Sequence, residues 1–323
     1  MQAHNPSKNP AQSSRRTDIA SLRAMIRQHK RWDMLFGVLG LAALSVGILT
    51  LVALFTDMAV TGFGRIDADF FTNFPSRRAN QAGILSAWVG SILVMMLTAL
   101  VAVPLGIAGA VYLEEYARKN WFTDVIELNI TNLAGVPSII YGLLALGLFV
   151  YTFGLGQSIL TAGLTLALLI LPIVITTTRE ALRAIPQHVR EAAYGCGASQ
   201  WQVVSDHLLP YSTPGILTGV IIGLSRAIGE TAPIITIGAL TFIAFLPPVP
   251  FTADEAGVVA GAFDWLFSPF TVMPIQIFNW TSRPDPAFHQ NAAAASFVLV
   301  FMTLGMNALA IWLRYRLRKN IKW

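Results

Sequence analysis

Charge is what this sequence has least of. Only 12% of its 323 residues are Asp, Glu, Lys or Arg, whereas 54% are apolar and the mean hydropathy is +0.60. A soluble globular domain carries about 25% charged residues. The apolar residues here are grouped in runs of about 20 or more, the length that crosses a bilayer. The shortage therefore excludes an ordinary soluble domain and indicates an all-α integral membrane protein with several spans.

Other absences exclude several kinds of chemistry. The single cysteine, Cys196, rules out an internal disulfide framework and a Cys-rich metal site. There is no G-x-x-x-x-G-K-[ST] sequence, so the chain has no phosphate cradle for ATP, and we expect it to bind no cofactor. The five histidines are scattered outside the apolar runs, without an H-E-x-x-H or paired-acid motif, which argues against a membrane enzyme.

Six apolar runs are long enough to be transmembrane helices. We place them at 34–56, 84–112, 126–153, 158–178, 214–245 and 292–313. The second and fifth run to about 30 residues, so they should tilt or project beyond the bilayer. Prolines at 104, 137 and 172 are expected to break or kink the second, third and fourth spans.

The distribution of Lys and Arg predicts the orientation of these spans. Seven lie in 1–33, two in 113–125, three in 179–213 and five in 314–323, against four in the opposite set of loops. By the positive-inside rule both termini and the 179–213 loop are cytoplasmic. The basic tail 314–323 is then on the cytoplasmic side.

Three other segments have features of their own. In 1–33, the stretch 17–32 has apolar residues at helical spacing and fits an amphipathic helix on the membrane surface, although a basic tail that only sets topology explains it equally well. Residues 34–83 hold the first span and an external loop. The loop 246–291 is rich in Pro and aromatic residues and is predicted to be a packed external lobe.

The cytoplasmic loop 179–213 is predicted to form two short helices around a glycine turn. Pro186 suits a helix start, and Gly195 and Gly197 suit its end. A short helix of this kind can dock into a groove of a cytoplasmic partner. The alternative is a helical hairpin that packs only on its own bundle.

This loop resembles the EAA loop of ABC importer permeases. The pattern E-A-A, three residues, Gly, nine residues, Ile, any residue, Leu, Pro is matched in register, with His207 as the one departure, where the family has an apolar residue. The resemblance implies a type I (MetI-like) permease fold over 84–313. It also implies that a loop of coupling helices sits in a groove of a separate ATPase. The residues that it assigns to this contact are Glu191, Ala192, Ala193, Gly197, Leu209 and Pro210.

A narrower resemblance is to the phosphate-specific branch of these permeases. It rests on NLAGVPSIIYGLLALGLFV (132–150), SRAIGETAP (225–233) and PIQIFNWTSRPDP (274–286). The resemblance implies three kinds of partner: two copies of an ATPase that binds ATP–Mg, a second permease, and a periplasmic phosphate-binding protein. No nucleic acid partner is expected.

Arg226 and Glu230 are two opposite charges inside the fifth apolar run. At a spacing of four they share one face of a helix, about 6 Å apart along its axis. A charge at mid-depth costs on the order of 3 kcal/mol to insert, and charges inside a membrane generally mark ion or substrate pathways. The alternative is a salt bridge that only fixes helix packing.

An oxyanion cargo suits this pair. Arginine stays protonated and presents a planar fork that matches phosphate oxygens, while Glu230 would keep the anion from binding too tightly. Four further polar residues are predicted to line the same path, although hydrogen bonding between helices would also explain them: Ser225, Thr231, Asn132 and Ser138.

The sequence therefore predicts a transport subunit, with no enzymatic activity of its own, that moves inorganic phosphate by alternating access. Permeases for sulfate, molybdate or phosphonate are alternatives. An ion-coupled secondary transporter is another, but Glu230 is the one acid well inside a predicted span and the halves show no repeat.

Overall fold

The computed structural model describes residues 10–240, 242–252 and 261–319, with side chains from Lys30 to Arg316 except Arg31 and the gaps. The described part is nearly all helical. The chain divides into two compact units, 1–57 and 58–323. Five helices are long and apolar enough to span a membrane, and a bent pair makes six if it counts as one span. The prediction of an all-α multi-pass membrane protein is confirmed.

The first unit contains most of helix α1, Pro10–Gly62. Its segment from Trp32 has a mean hydropathy of 2.5, and its side chains up to Asp57 are exposed. Backbone helix also covers 17–32, but the amphipathic face predicted there depends on side chains outside those described.

In the second unit, four long helices form the bundle. They are α3 (Leu85–Val111), α6 (Ile159–Arg183), α9 (Leu209–Ile228) and α12 (Pro286–Lys319). Small residues let these helices approach closely, as is common between membrane helices. A β-carbon at Gly219 of α9, for example, would collide with the Thr177 side chain of α6.

Shorter helices connect this bundle. α2 is Ala68–Thr72, α4 is Trp121–Leu133 and α5 is Ser138–Ala145. A π-helical turn, Tyr112–Tyr116, extends α3, and another, Leu146–Thr152, extends α5. After α6 come α7 (Gln187–Gly195) and α8 (Gln200–Gln202), and a π turn, Val203–Leu208, leads into α9. Beyond α9 are α10 (Ala232–Thr236) and α11 (Met273–Thr281).

The third predicted span, 126–153, is not one straight helix. It consists of α4 and α5, which meet at an angle of 107°. Pro137 causes the break, because it precedes α5 and cannot donate a helical hydrogen bond. Pro104 and Pro172, in contrast, lie inside unbroken α-helices, so the breaks expected there were wrong.

The fifth predicted span, 214–245, was also wrong in its limits. The apolar helix runs over Gln200–Ile228 and then stops, and α10 is a separate turn. Gly229 and the following Pro233 explain the end, because glycine disfavours helix and proline lacks the N–H that would continue it. The chain that follows α10, described at 237–240 and 242–252, forms turns and loop rather than membrane helix.

The segment 246–291 contains a packed core in its described part. Trp280 of α11 is fully buried and lies in one cluster with Phe70, Met273 and Phe288. Residues 253–260 of the predicted lobe lie outside the described part of the chain. Its external position stays a prediction.

Candidate functional site

Arg226 and Glu230 meet where α9 ends. Arg226 lies in the last turn of α9, and its Nε is 3.4 Å from Oε1 of Glu230. The two side chains are 38% and 17% exposed. The predicted pair thus exists, but across the break at Gly229 rather than on one continuous helix. The free carbonyls of a helix C-terminus favour a cation, which adds to the stabilisation of Arg226.

The bend of the third span packs against this break. Gly142 of α5 faces Pro233 and Thr236 so closely that a β-carbon there would collide with both. The Tyr141 hydroxyl donates a 2.8 Å hydrogen bond to the Leu133 carbonyl and so fastens α5 to the end of α4. The two broken spans therefore meet at one place, next to the ion pair.

Glu230 also lines a small, partly open cavity of about 10 Å³, roughly the space of one water molecule. Its lining includes Ser91 and Met95 of α3 and Leu166 of α6. Glu230 is thus held between the bundle interior and the surface that Arg226 reaches. This position suits a carboxylate that could pair either with Arg226 or with water.

The other predicted pathway residues are placed differently. Ser225 is hydrogen-bonded at 2.7 Å to Oδ1 of Asn307 on α12, a contact between helices. Asn132 is exposed near the end of α4, and Ser138, half-buried, begins α5 at the bend. Thr231 is half-buried beside Glu230. Their contribution to a substrate path stays a prediction.

Two polar contacts join α9 to α12 one heptad apart. Ser225 meets Asn307, and Thr218 accepts a 2.9 Å hydrogen bond from Nη1 of Arg314. Both lie on one face of α9, so they fix its rotation next to Arg226. The sequence reasoning missed Asn307, although an amide inside an apolar span is a signal that could have found it.

The loop between α6 and α9 has the predicted helix–turn–helix form. Helix α7 ends before Gly197, whose φ of +83° requires the left-handed region that glycine adopts freely. Glu191 and Ala192 are exposed, whereas Ala193 is only 9% exposed and packs in one cluster with Leu182 of α6 and Val111 of α3. Ala192 and Ala193 are adjacent small residues on different faces of α7. The sequence alone does not show which of the two is buried.

The remaining residues assigned to this contact have mixed exposure. Gly197 and Pro210 are exposed, and Leu209 is half-buried. His207, the departure from the family pattern, lies in the π turn that joins α8 to α9. Trp201 is 64% exposed on the same loop. An exposed face with a carboxylate and a large aromatic residue is suited to docking of a protein partner.

A cluster of six charged side chains, which the sequence reasoning did not find, lies beside this loop. It joins carboxylates of the α3 end and of α4 to arginines of α6 and α7. Its members are Glu114, Glu115, Glu127, Arg179, Arg183 and Arg190. In the sequence these three arginines contribute to the predicted orientation of the spans. Their acidic partners are distant in the chain, so the sequence pattern did not indicate the ion pairs. In the described residues no group of His, Cys, Asp or Glu could hold a metal ion.

The architecture is a bundle with a bent span and an exposed helical loop between two spans. Two crystal structures of bacterial alginate ABC transporters share the fold. One has a TM-score of 0.61 at 15% identity over 87% of this chain and 93% of that one, and the other 0.59 at 16% over 91% and 99%.

A sequence match shows which family this chain belongs to. Residues 102–323 match the family described as "Binding-protein-dependent transport system inner membrane component", and the chain belongs to this family. It is a permease subunit of the type I importer fold, a transport protein rather than an enzyme.

Relatives include the "Probable ABC transporter permease protein YqgI" of Bacillus subtilis (strain 168), 31% identical over 88% of this chain and 95% of that protein. The "Phosphate transport system permease protein PstA" of Yersinia pestis is 31% identical over 84% and 86%. PstA of Mycobacterium leprae (strain TN) is 32% identical over 72% and 71%.

Proposed function

We propose that this chain is the PstA-like permease subunit of an importer for inorganic phosphate. The observation that carries the proposal is the Arg226–Glu230 pair at the end of α9, in a chain related over most of its length to permeases named for phosphate transport. A half-exposed arginine beside a break in a membrane helix is a suitable anion contact.

The geometry suggests how the pair would act. The guanidinium of Arg226 offers two parallel donors that match two oxygens of a phosphate. Glu230 already occupies one side of this guanidinium at 3.4 Å, so an incoming anion competes with it. This competition weakens binding, which a transport path needs because the anion must leave again.

The expected assembly follows from the family. Two PstB-like ATPase copies would bind ATP–Mg and dock on the α7–α8 loop, where Glu191, Ala192 and Gly197 are exposed. A PstC-like permease would complete the path, and a PstS-like periplasmic protein would deliver phosphate. The chain itself would bind no cofactor. The matched family supports a location in the bacterial inner (cytoplasmic) membrane. The Lys and Arg distribution supports cytoplasmic positions for both termini.

The substrate can be tested by uptake of labelled phosphate in a strain that lacks this gene. We expect the wild-type chain to restore uptake, with excess unlabelled phosphate competing and excess sulfate, molybdate or phosphonate having no effect, because the pair would work with a phosphate-specific receptor. Restored uptake of another oxyanion in place of phosphate would contradict the substrate. Unchanged uptake with an inactive ATPase partner would instead indicate ion-coupled transport.

A further inference from the structure

The cluster of six charged side chains connects the loop between α6 and α9, residues 184–208 (the docking loop), to the bent span formed by α4 and α5. Glu114 and Glu115 are consecutive residues of the π turn that ends α3, yet they bind different elements. Glu115 binds Arg190 of α7, and Glu114 binds Arg179 and Arg183 of α6. One short turn therefore holds both the loop and the bundle.

The loop side of the cluster is firmly attached. Nη2 of Arg190 lies 2.8 Å from Oε1 of Glu115, and the same guanidinium donates to the carbonyls of Leu182 and Ile185. The Gln200 side chain, on the other half of the loop, donates a 2.6 Å hydrogen bond to the Glu115 carbonyl. A displacement of the loop must therefore displace the end of α3.

The bundle side of the cluster reaches α4. Arg179 is only 7% exposed, and it lies between Glu114 at 3.3 Å and Glu127 of α4 at 2.5 Å. Arg183 lies 2.8 Å from Glu114 and 3.9 Å from Glu127. Each of these four groups thus has a second partner of opposite charge nearby.

From α4 the contacts continue to the ion pair of the candidate path. The Leu133 carbonyl at the end of α4 accepts the hydrogen bond of Tyr141, and Gly142 beside it packs on α10. Physical contacts therefore run without interruption from the docking loop to the break of α9.

Stability alone does not explain a cluster of this kind. Partly buried ion pairs add little net stability compared with apolar residues of the same size. Charged groups that each have two possible partners allow movement. Helices α4 and α6 can slide past each other while each charged group exchanges one partner for the other. Elements with two discrete arrangements are what energetic coupling between distant sites requires.

We propose that Glu127 and Arg179 are positioning residues that transmit movement of the docking loop to the α4–α5 bend and so to Arg226. The proposal rests on the proposed function, because a separate ATPase must move the loop. The proposal concerns the contact between α4 and α6. Glu127 and Arg179 would act by positioning Arg226 and would not touch the anion themselves.

The test uses the purified complete transporter with Glu127→Gln, which keeps the shape of the side chain and removes its charge. Glu180→Gln is the matched control, because Glu180 lines the same cleft of about 400 Å³ but is exposed. We expect Glu127→Gln to keep basal ATP hydrolysis and to lose at least about five-fold of the stimulation by phosphate-loaded binding protein. Glu180→Gln should match wild type.

Equal stimulation of both variants would overturn the proposal. If Glu127→Gln does not assemble, Glu127→Asp keeps the charge on a shorter side chain. Reduced stimulation in an assembled Glu127→Asp complex supports transmission, whereas unchanged stimulation, or failure to assemble again, shows a role in assembly alone.

A second readout separates this inference from the proposed function. If phosphate-loaded binding protein fails to stimulate the wild type, the proposed substrate is wrong, but the link can still be measured. Maleimide labelling of Ser138→Cys, in a Cys196→Ser background, reports the bend when ATP and vanadate trap the ATPase. We expect trapping to change the labelling rate of this Ser138→Cys protein when Glu127 is present. With Glu127→Gln added, the rate should stay the same. The same change in both would contradict transmission.

Discussion

Replacing Arg226 by leucine is expected to lower the initial rate of phosphate uptake by about 100-fold or more, with a normal amount of protein in the membrane. A 100-fold loss equals about 2.7 kcal/mol of lost stabilisation, within the 1.5–3 kcal/mol or so of a hydrogen bond to a charged group. The cause is loss of the guanidinium that meets the anion. Uptake of labelled phosphate, with immunoblots of the membrane fraction, measures it.

Two companion variants distinguish an anion contact from a packing role. Arg226→Lys keeps the charge but not the planar fork, so we expect an intermediate rate. The double variant Arg226→Leu with Glu230→Leu removes both charges and with them any unpaired carboxylate. If the double variant folds normally and transports at the wild-type rate, the pair is structural and the proposed anion contact is wrong.

Reversing the charge of Glu191 is expected to separate the chain from its ATPase. Glu191 is exposed on α7, and a basic partner residue would be repelled by Glu191→Arg. Loss of such a contact weakens binding by about 2 kcal/mol or more, which is roughly 30-fold in the dissociation constant. Co-purification of the ATPase with the tagged permease measures the effect, and uptake should fall with it.

Asp206→Arg is the matched control for this prediction. Asp206 is another exposed acid of the same loop, but it lies in the π turn before α9 and outside the E-A-A sequence. It should leave co-purification near the wild-type level. Equal loss in both variants would mean that the general charge of the loop matters and that Glu191 has no special role.

The sequence predicted which membrane helices form better than it predicted where each helix begins and ends. Among the described residues, apolar length identified the five helices that could span a membrane and the bent pair that makes a sixth if it counts as one span. A membrane imposes this length on each helix separately. The break of the third span was signalled by Pro137, but Pro104 and Pro172 carry the same signal inside intact helices. A proline in a membrane helix is tolerated wherever neighbours satisfy the freed carbonyl, and that depends on packing.

The site was predicted in part. Arg226 and Glu230 were found because charges in an apolar run are costly, and the pairing held across a helix end that the sequence placed too late. Ala193 illustrates the limit, since its burial depends on which face of α7 meets Leu182. The charge cluster at Arg179 was missed because its partners are 52 to 65 residues away in the chain.

ATP-driven phosphate uptake by reconstituted vesicles tests the central claim most directly. The vesicles would contain this chain, the second permease and the ATPase, with binding protein on the opposite side. The account predicts accumulation of labelled phosphate that requires ATP and binding protein, persists when ion gradients are collapsed, and is lost in Arg226→Leu. Accumulation driven by an ion gradient without ATP, or the wild-type rate in Arg226→Leu, would contradict it.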